Sequence, residues 1–172
     1  MTYSKEPNPI SVLVGHEVCK AGGGTQFSSM YAAWDTLPQS VKDRVDGRTA
    51  THSINNYKYK EGDGMTREDM LRFPPVHHPA VLVHPVTGRK ALYVSEGTTA
   101  SLDGIPEEES RVLLDMLFAH SVQEEFTWLH EWQVGDIVVW DNRCSMHRQT
   151  SYDPAERRLM KRTTIVTAKP GV

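Results

Sequence analysis

The C-terminal third places four short β-forming segments between turn signals, and that rhythm constrains the fold more than any other feature. FTWLHEW (126–132), DIVVWDN (136–142), SMHRQT (145–150) and LMKRTTIVT (159–167) are rich in β-branched and aromatic residues. QVGD turns between the first two and SYDPAER supplies the last loop. Short strands punctuated this way predict a β-sandwich or barrel. Strands and helices do not alternate regularly along the chain, which argues against a parallel α/β sheet.

Upstream, ISVLVGHEV (10–18) reads as a further strand and AGGGTQF (21–27) as a glycine-permitted turn. In residues 28–47, Met30, Ala33, Trp34 and Leu37 recur at helical spacing; Pro38 ends that helix, and Ser40 with Asp43 predicts the cap of a second. PAVLVHP (79–85) and KALYVS (90–95) predict two strands joined by VTGR. IPEEESRVLLDMLFAHS (105–121) is the clearest helix, with proline and acids in its first turn and an apolar stripe of Val112, Leu113, Met116 and Leu117. Residues 48–77 are polar and read as irregular, with Thr66 and Asp69 as a capping box; their length suits a substrate-covering lid.

The 172 residues carry no repeat or linker, so residues 1–172 form one domain. With 38% hydrophobic and 24% charged residues they describe a soluble protein, and a net charge of −3 predicts no nucleic-acid partner. No apolar run approaches membrane-spanning length, so no membrane partner is expected. Cys19 and Cys144 form no CxxC pair, which fits a reducing, cytoplasmic compartment. Arg143, Arg148, Arg157, Arg158, Lys161 and Arg162 cluster near the C-terminus, as a solvated face or as a seat for a small anion.

Three ordered blocks carry a family resemblance: AGGGTQFSSMYAAWDTLP (21–38), HHPAVLVHPVTGRKALYV (77–94), and the run from Trp132 through WDNRCSMH to His147, followed by Tyr152 to Thr164. They resemble the taurine/2,4-dichlorophenoxyacetate dioxygenases, which are iron- and 2-oxoglutarate-dependent oxygenases. The resemblance implies a jelly roll (double-stranded β-helix) with helical insertions. It implies Fe(II) as metal, 2-oxoglutarate as cosubstrate, and hydroxylation of a small, acidic organic substrate coupled to decarboxylation of 2-oxoglutarate to succinate. It assigns His147 as a metal ligand and Thr25 with Arg162 as the cosubstrate anchors. It makes Arg158 the arginine that meets the acidic group of the substrate. A planar, permanently charged guanidinium suits a carboxylate, which it meets through two parallel hydrogen bonds.

Read alone, each residue has a structural alternative: His147 as a packed strand histidine, Arg162 as a surface cation beside Leu159, Met160 and Ile165, Arg157 and Arg158 as loop solvation. Trp140 reads as core or pocket wall, Asp141 and Asn142 as turn residues, Cys144 as packing, and His77, His78 and His84 as structural. The family's other two metal ligands come from a His-x-Asp motif, and no H-x-D or H-x-E occurs in these 172 residues. The expectation is therefore an incomplete jelly roll, shortened at its N-terminus, with one ligand of three, no catalytic residue of its own and little oxygenase activity in isolation. A sheet edge left open by that shortening would favour association, so a homo-oligomer is expected. The competing readings are a non-catalytic anion-binding or oligomerising module, and a structural β-sandwich with no ligand.

Overall fold

A computed structural model describes residues 2–54, 68 and 72–166. Its strands and helices run β1 (Ile10–Glu17), β2 (Thr25–Ser29), α1 (Met30–Asp35), α2 (Gln39–Val45), β3 (Thr49–His52), β4 (Val76–Pro79), β5 (Val81–Val83), β6 (Lys90–Leu92) and β7 (Thr99–Leu102). After these come α3 (Glu107–Ser121), β8 (Thr127–His130), β9 (Ile137–Asp141), β10 (Ser145–Gln149) and β11 (Leu159–Ile165). Every sheet is antiparallel: β11-β1-β9, β10-β2-β8, β4-β3-β7 and the β5-β6 hairpin.

The first two sheets face each other. Alternation along a strand sends successive side chains to opposite faces. In the first sheet, Leu13 stands opposite Arg162 and Val138, and Ser11 opposite Trp140 and Thr164. In the second, Phe27 stands opposite His147 and Trp128. Ring contacts close the gap: Trp140 lies 5.3 Å from Phe27 and 4.7 Å from His147 between centroids. Two antiparallel sheets sharing an aromatic interior give the mainly β, jelly-roll architecture expected from the sequence. The outer face of the first sheet carries Ile137, Val139, Leu159 and Ile165, all exposed.

The other face of the second sheet rests on helices. Ser28 Oγ donates to Ser121 O at the end of α3, and Met146 packs against the core formed by Met30, Ala33, Trp34, Leu92, Leu102 and Leu117. Each such buried aliphatic side chain contributes about 1.5–3 kcal/mol relative to exposure.

The structure departs from the sequence reading in particular places. The helix expected from residue 28 begins at Met30, because Thr25–Ser29 pairs as a strand between β8 and β10; Ser29 then caps α1 through Ala32 N. α2 begins after Pro38, with no side-chain cap; Asp43 accepts from Gln39 Nε2 instead of capping with Ser40. Residues 48–77 are not irregular at their ends, where β3 and β4 pair with each other and β3 with β7. Thr66, Asp69 and most of the predicted lid lie outside the described residues.

α3 buries Ser110, Leu113, Leu114, Leu117 and Ser121, whereas Val112 and Met116 are exposed. The stripe lies about one residue further on than the apolar count predicts, because two small serines complete the buried face. Ser110 Oγ accepts from Leu102 N and Ser121 Oγ donates to Leu117 O, so neither is a buried orphan. Both cysteines are free. No helix among the described residues is long and apolar enough to cross a membrane.

Candidate active site

A cleft of about 610 Å³ opens beside the jelly-roll interior, and His147, Arg162, Phe27, Tyr93, Asn142 and Met146 are among its walls. Two of the four residues singled out in the sequence, His147 and Arg162, therefore meet in one place. Thr25 and Arg158 stand outside the cleft lining.

β10 delivers His147 because Asp141, Asn142 and Arg143 form a rigid turn before it. Arg143 grips Asp141 through Nε and Nη2, at 2.9 and 2.6 Å, and its backbone N also donates to Asp141 Oδ1. His84 Nε2 reaches Asp141 Oδ2 at 3.0 Å, and Ser145 Oγ donates to Asp141 O. Burial alone would raise the Asp141 carboxyl, but the Arg143 and His84 hydrogen bonds outweigh it and hold it at about 2. Ligand atoms of His84, Asp141 and Cys144 lie within 4.8 Å of one another. That trio is a structural knot. The Arg143 guanidinium already neutralises Asp141, and His84 Nδ1 accepts from Val86 N and Thr87 N, leaving no free lone pair for a cation.

His147 itself makes no side-chain hydrogen bond to a described residue. Its ring leans on Trp140 and Phe27 but stays open to the cleft. Protein packed around the ring, and then the Arg162 charge, lower its pKa to about 4. A neutral imidazole with an uncommitted lone pair fits a metal ligand. Among the described residues His147 belongs to no group of three or more metal-ligating side chains. The ring could thus serve as one ligand of a metal site, and a tightly held ion would need further ligands beside it.

Among the described residues, Arg162 is anchored by neutral groups only. Its Nη2 donates to Ser11 Oγ at 2.9 Å, and its guanidinium carbon lies 5.7 Å from the centre of the Trp140 ring. Ser11, fully buried, also accepts from Asn142 Nδ2, while Asn142 Oδ1 accepts from Trp140 Nε1. Arg158 Nε donates to Gly23 O at 3.0 Å, and Arg148 Nε to Gln26 Oε1. None of these three cations has a carboxylate partner among the described residues, whereas Arg143 and Arg157 do. The basic cluster of the sequence thus divides into paired cations and cations left for another anion.

Thr25 is buried one rung along. Its Oγ accepts from Trp132 Nε1 at 2.9 Å, and Trp132 packs against Gly15, where an added Cβ would lie 3.2 Å from the ring. Gly15 pairs with Met160, two residues before Arg162 on β11. Arg158 Nε reaches the carbonyl of Gly23, two residues before Thr25, whereas Arg162 is held at Ser11 and Trp140. The glycine turn before it needs glycine: Gly22 and Gly23 have φ of 71° and 65°.

Sequence reasoning missed Ser11 and the Trp132–Thr25 bond. The alternation of β1 carries the signal for Ser11 once its pairing with β11 is known; Trp132 was visible only as part of a family block.

Comparison with known proteins is consistent with this geometry. The family described as taurine catabolism dioxygenase TauD, TfdA matches residues 1–164. The chain is 40% identical over 158 residues to an alpha-ketoglutarate-dependent 2,4-dichlorophenoxyacetate dioxygenase of Cupriavidus pinatubonensis, covering 91% of this chain and 54% of that protein. It is 32% identical over 183 residues to pentalenolactone F synthase of Streptomyces arenae, covering 98% and 61%. Among solved structures, AAD-2 in complex with Mn(II) and N-oxalylglycine superposes with a TM-score of 0.86 at 34% identity, over 99% of this chain and 68% of that one. A taurine dioxygenase from Burkholderia xenovorans gives 0.83 at 31%, over 97% and 55%. The chain spans a little over half the length of these curated relatives.

Proposed function

We propose, from the premise that this chain belongs to the TauD/TfdA family of alpha-ketoglutarate-dependent dioxygenases, that it provides the cosubstrate-holding part of an Fe(II)/2-oxoglutarate oxygenase. The reaction is hydroxylation of a small, anionic organic molecule with decarboxylation of 2-oxoglutarate to succinate. The observation that carries this reading is the cleft that brings His147 and Arg162 together, with Arg162 and Arg158 bonded only to neutral groups among the described residues.

In this reading Arg162 holds the distal carboxylate of 2-oxoglutarate, with the Thr25 hydroxyl donating to the same group. Arg158 meets the acidic end of the substrate. His147 supplies one neutral ligand to the iron, which when bound activates oxygen. Trp140 and Phe27 exclude water from that side of the ring. A second division of the two arginines rests on one contact: Arg158 already donates to Gly23 O, two residues before Thr25. It exchanges their roles, so that Arg158 shares the cosubstrate with Thr25 and Arg162 faces the substrate.

The test is anaerobic titration of Fe(II) and 2-oxoglutarate into the chain, following the visible metal-to-cosubstrate charge-transfer band. A saturable band, lost in His147→Ala, is expected of the oxygenase reading. No band from a folded chain that still binds 2-oxoglutarate leaves the non-catalytic anion-binding alternative standing. Comparing 2-oxoglutarate affinity in Arg158→Ala and Arg162→Ala decides which guanidinium holds the cosubstrate.

A further inference from the structure

We infer that Trp132 is a positioning residue for Thr25, acting on the cosubstrate through the orientation of one hydroxyl; the inference rests on the proposed function above. An indole nitrogen is a donor only. Because Trp132 Nε1 donates to Thr25 Oγ, the threonine must accept on that side and turn its own O–H elsewhere. Thr25 is 3% exposed, and among the described residues its hydroxyl has no acceptor. A buried hydroxyl whose proton has no acceptor costs free energy unless a ligand supplies one. The proton is therefore held ready for an incoming oxygen anion.

The indole is fixed independently of any ligand. Its six-membered ring lies against Gly15, the one residue on β1 without a side chain, and the His130 ring stands edge-on to it at 4.6 Å. Trp132 is therefore a rigid donor aimed at Thr25, and a preorganised hydrogen bond loses less entropy when the ligand binds.

The test is calorimetric titration of 2-oxoglutarate into the full chain, in the wild type, Trp132→Phe, Thr25→Val and the double variant. Each single variant should weaken binding about tenfold, the ~1.4 kcal/mol expected of one hydrogen bond to a charged group. The double variant should be no weaker than Thr25→Val alone, because Trp132 acts only through that hydroxyl. A residue that merely packs would instead add its cost in the double variant. Benzothienylalanine at position 132 keeps the bicyclic shape and removes only the N–H; it should reproduce Trp132→Phe, and it replaces that variant if the phenylalanine protein does not fold. Wild-type affinity in the benzothienylalanine protein, or additive losses in the double variant, overturns the positioning role. If Thr25→Val and Arg162→Ala still lose affinity in that case, the cosubstrate reading survives. A wild-type chain that takes up no 2-oxoglutarate overturns both.

Discussion

Acidification should unfold this protein through a histidine buried behind the cleft wall, His52. The residue sits on β3 with no exposed surface. Its Nδ1 lies 3.4 Å from Thr99 Oγ1, its Nε2 has no hydrogen-bond partner among the described residues, and its ring packs against His78 at 5.4 Å and Tyr93 at 6.2 Å. Burial lowers its pKa from 6.5 to about 4; His78 and His77 push the same way, and Asp103 only partly opposes them. In the unfolded chain the imidazole takes its proton near pH 6.5, while the folded chain refuses it until about pH 4. Stability contributed by the neutral ring is thus whole above pH 6.5 and drains away as pH falls between those values. One pKa unit is about 1.4 kcal/mol, so the full window is worth about 3 kcal/mol, of which about 2 is lost by pH 5. Urea unfolding at pH 7, 6 and 5 measures this directly. His52→Leu removes the titrating group and the orphaned nitrogen, and should lose about 2 kcal/mol less than wild type between pH 7 and pH 5. Equal pH slopes for wild type and His52→Leu would refute the reasoning.

Three further outcomes follow from the same structure. Asp141→Asn should cost about 2 kcal/mol at pH 7 by urea unfolding. The wild-type carboxylate is held at about 2 instead of 3.8, so its contribution is present above pH 3.8 and vanishes as pH falls toward 2. Gly22→Ala should destabilise by about 1–3 kcal/mol in thermal unfolding, because φ there is 71° and an added Cβ would fall on the Ser151 carbonyl. On α3, Leu113→Ala should cost about 2–5 kcal/mol whereas Val112→Ala stays within about 0.5 kcal/mol, which separates the observed buried face from the one the apolar count suggests.

Much of the architecture was legible because period-2 patterning and turn chemistry act locally: β8 to β11 fall within the four segments read from the sequence. The short strands β2, β3 and β7 were not legible. TQFSS, TATH and TASL carry little apolar signal and become strands through their neighbours, β2 between β8 and β10, β3 between β4 and β7. The same limit applies at the site. His147 and Arg162 could be assigned through family resemblance, and the structure brings them to one cleft. The arrangement around Thr25 depends on which rung of β1 faces which rung of β11, and pairing register across about 150 residues of sequence has no local signature.

Register also governs what errors in the gene this protein tolerates. Met160, Arg162 and Thr164 alternate on one side of β11, while Leu159, Lys161, Thr163 and Ile165 take the other. A codon gained or lost within 159–165 would exchange the two sets, turning Lys161 or Thr163 toward the facing sheet and carrying the guanidinium of Arg162 away from the cleft. The fold would keep its hydrogen bonds and lose its anion seat. The same change in the exposed Pro154–Ala155 tip of the preceding loop need move nothing, since Glu17–Arg157 and Asn8–Thr164 contacts pin the strand from both ends. Length variation among natural or laboratory variants of this chain should therefore collect at that tip and be purged a few residues later.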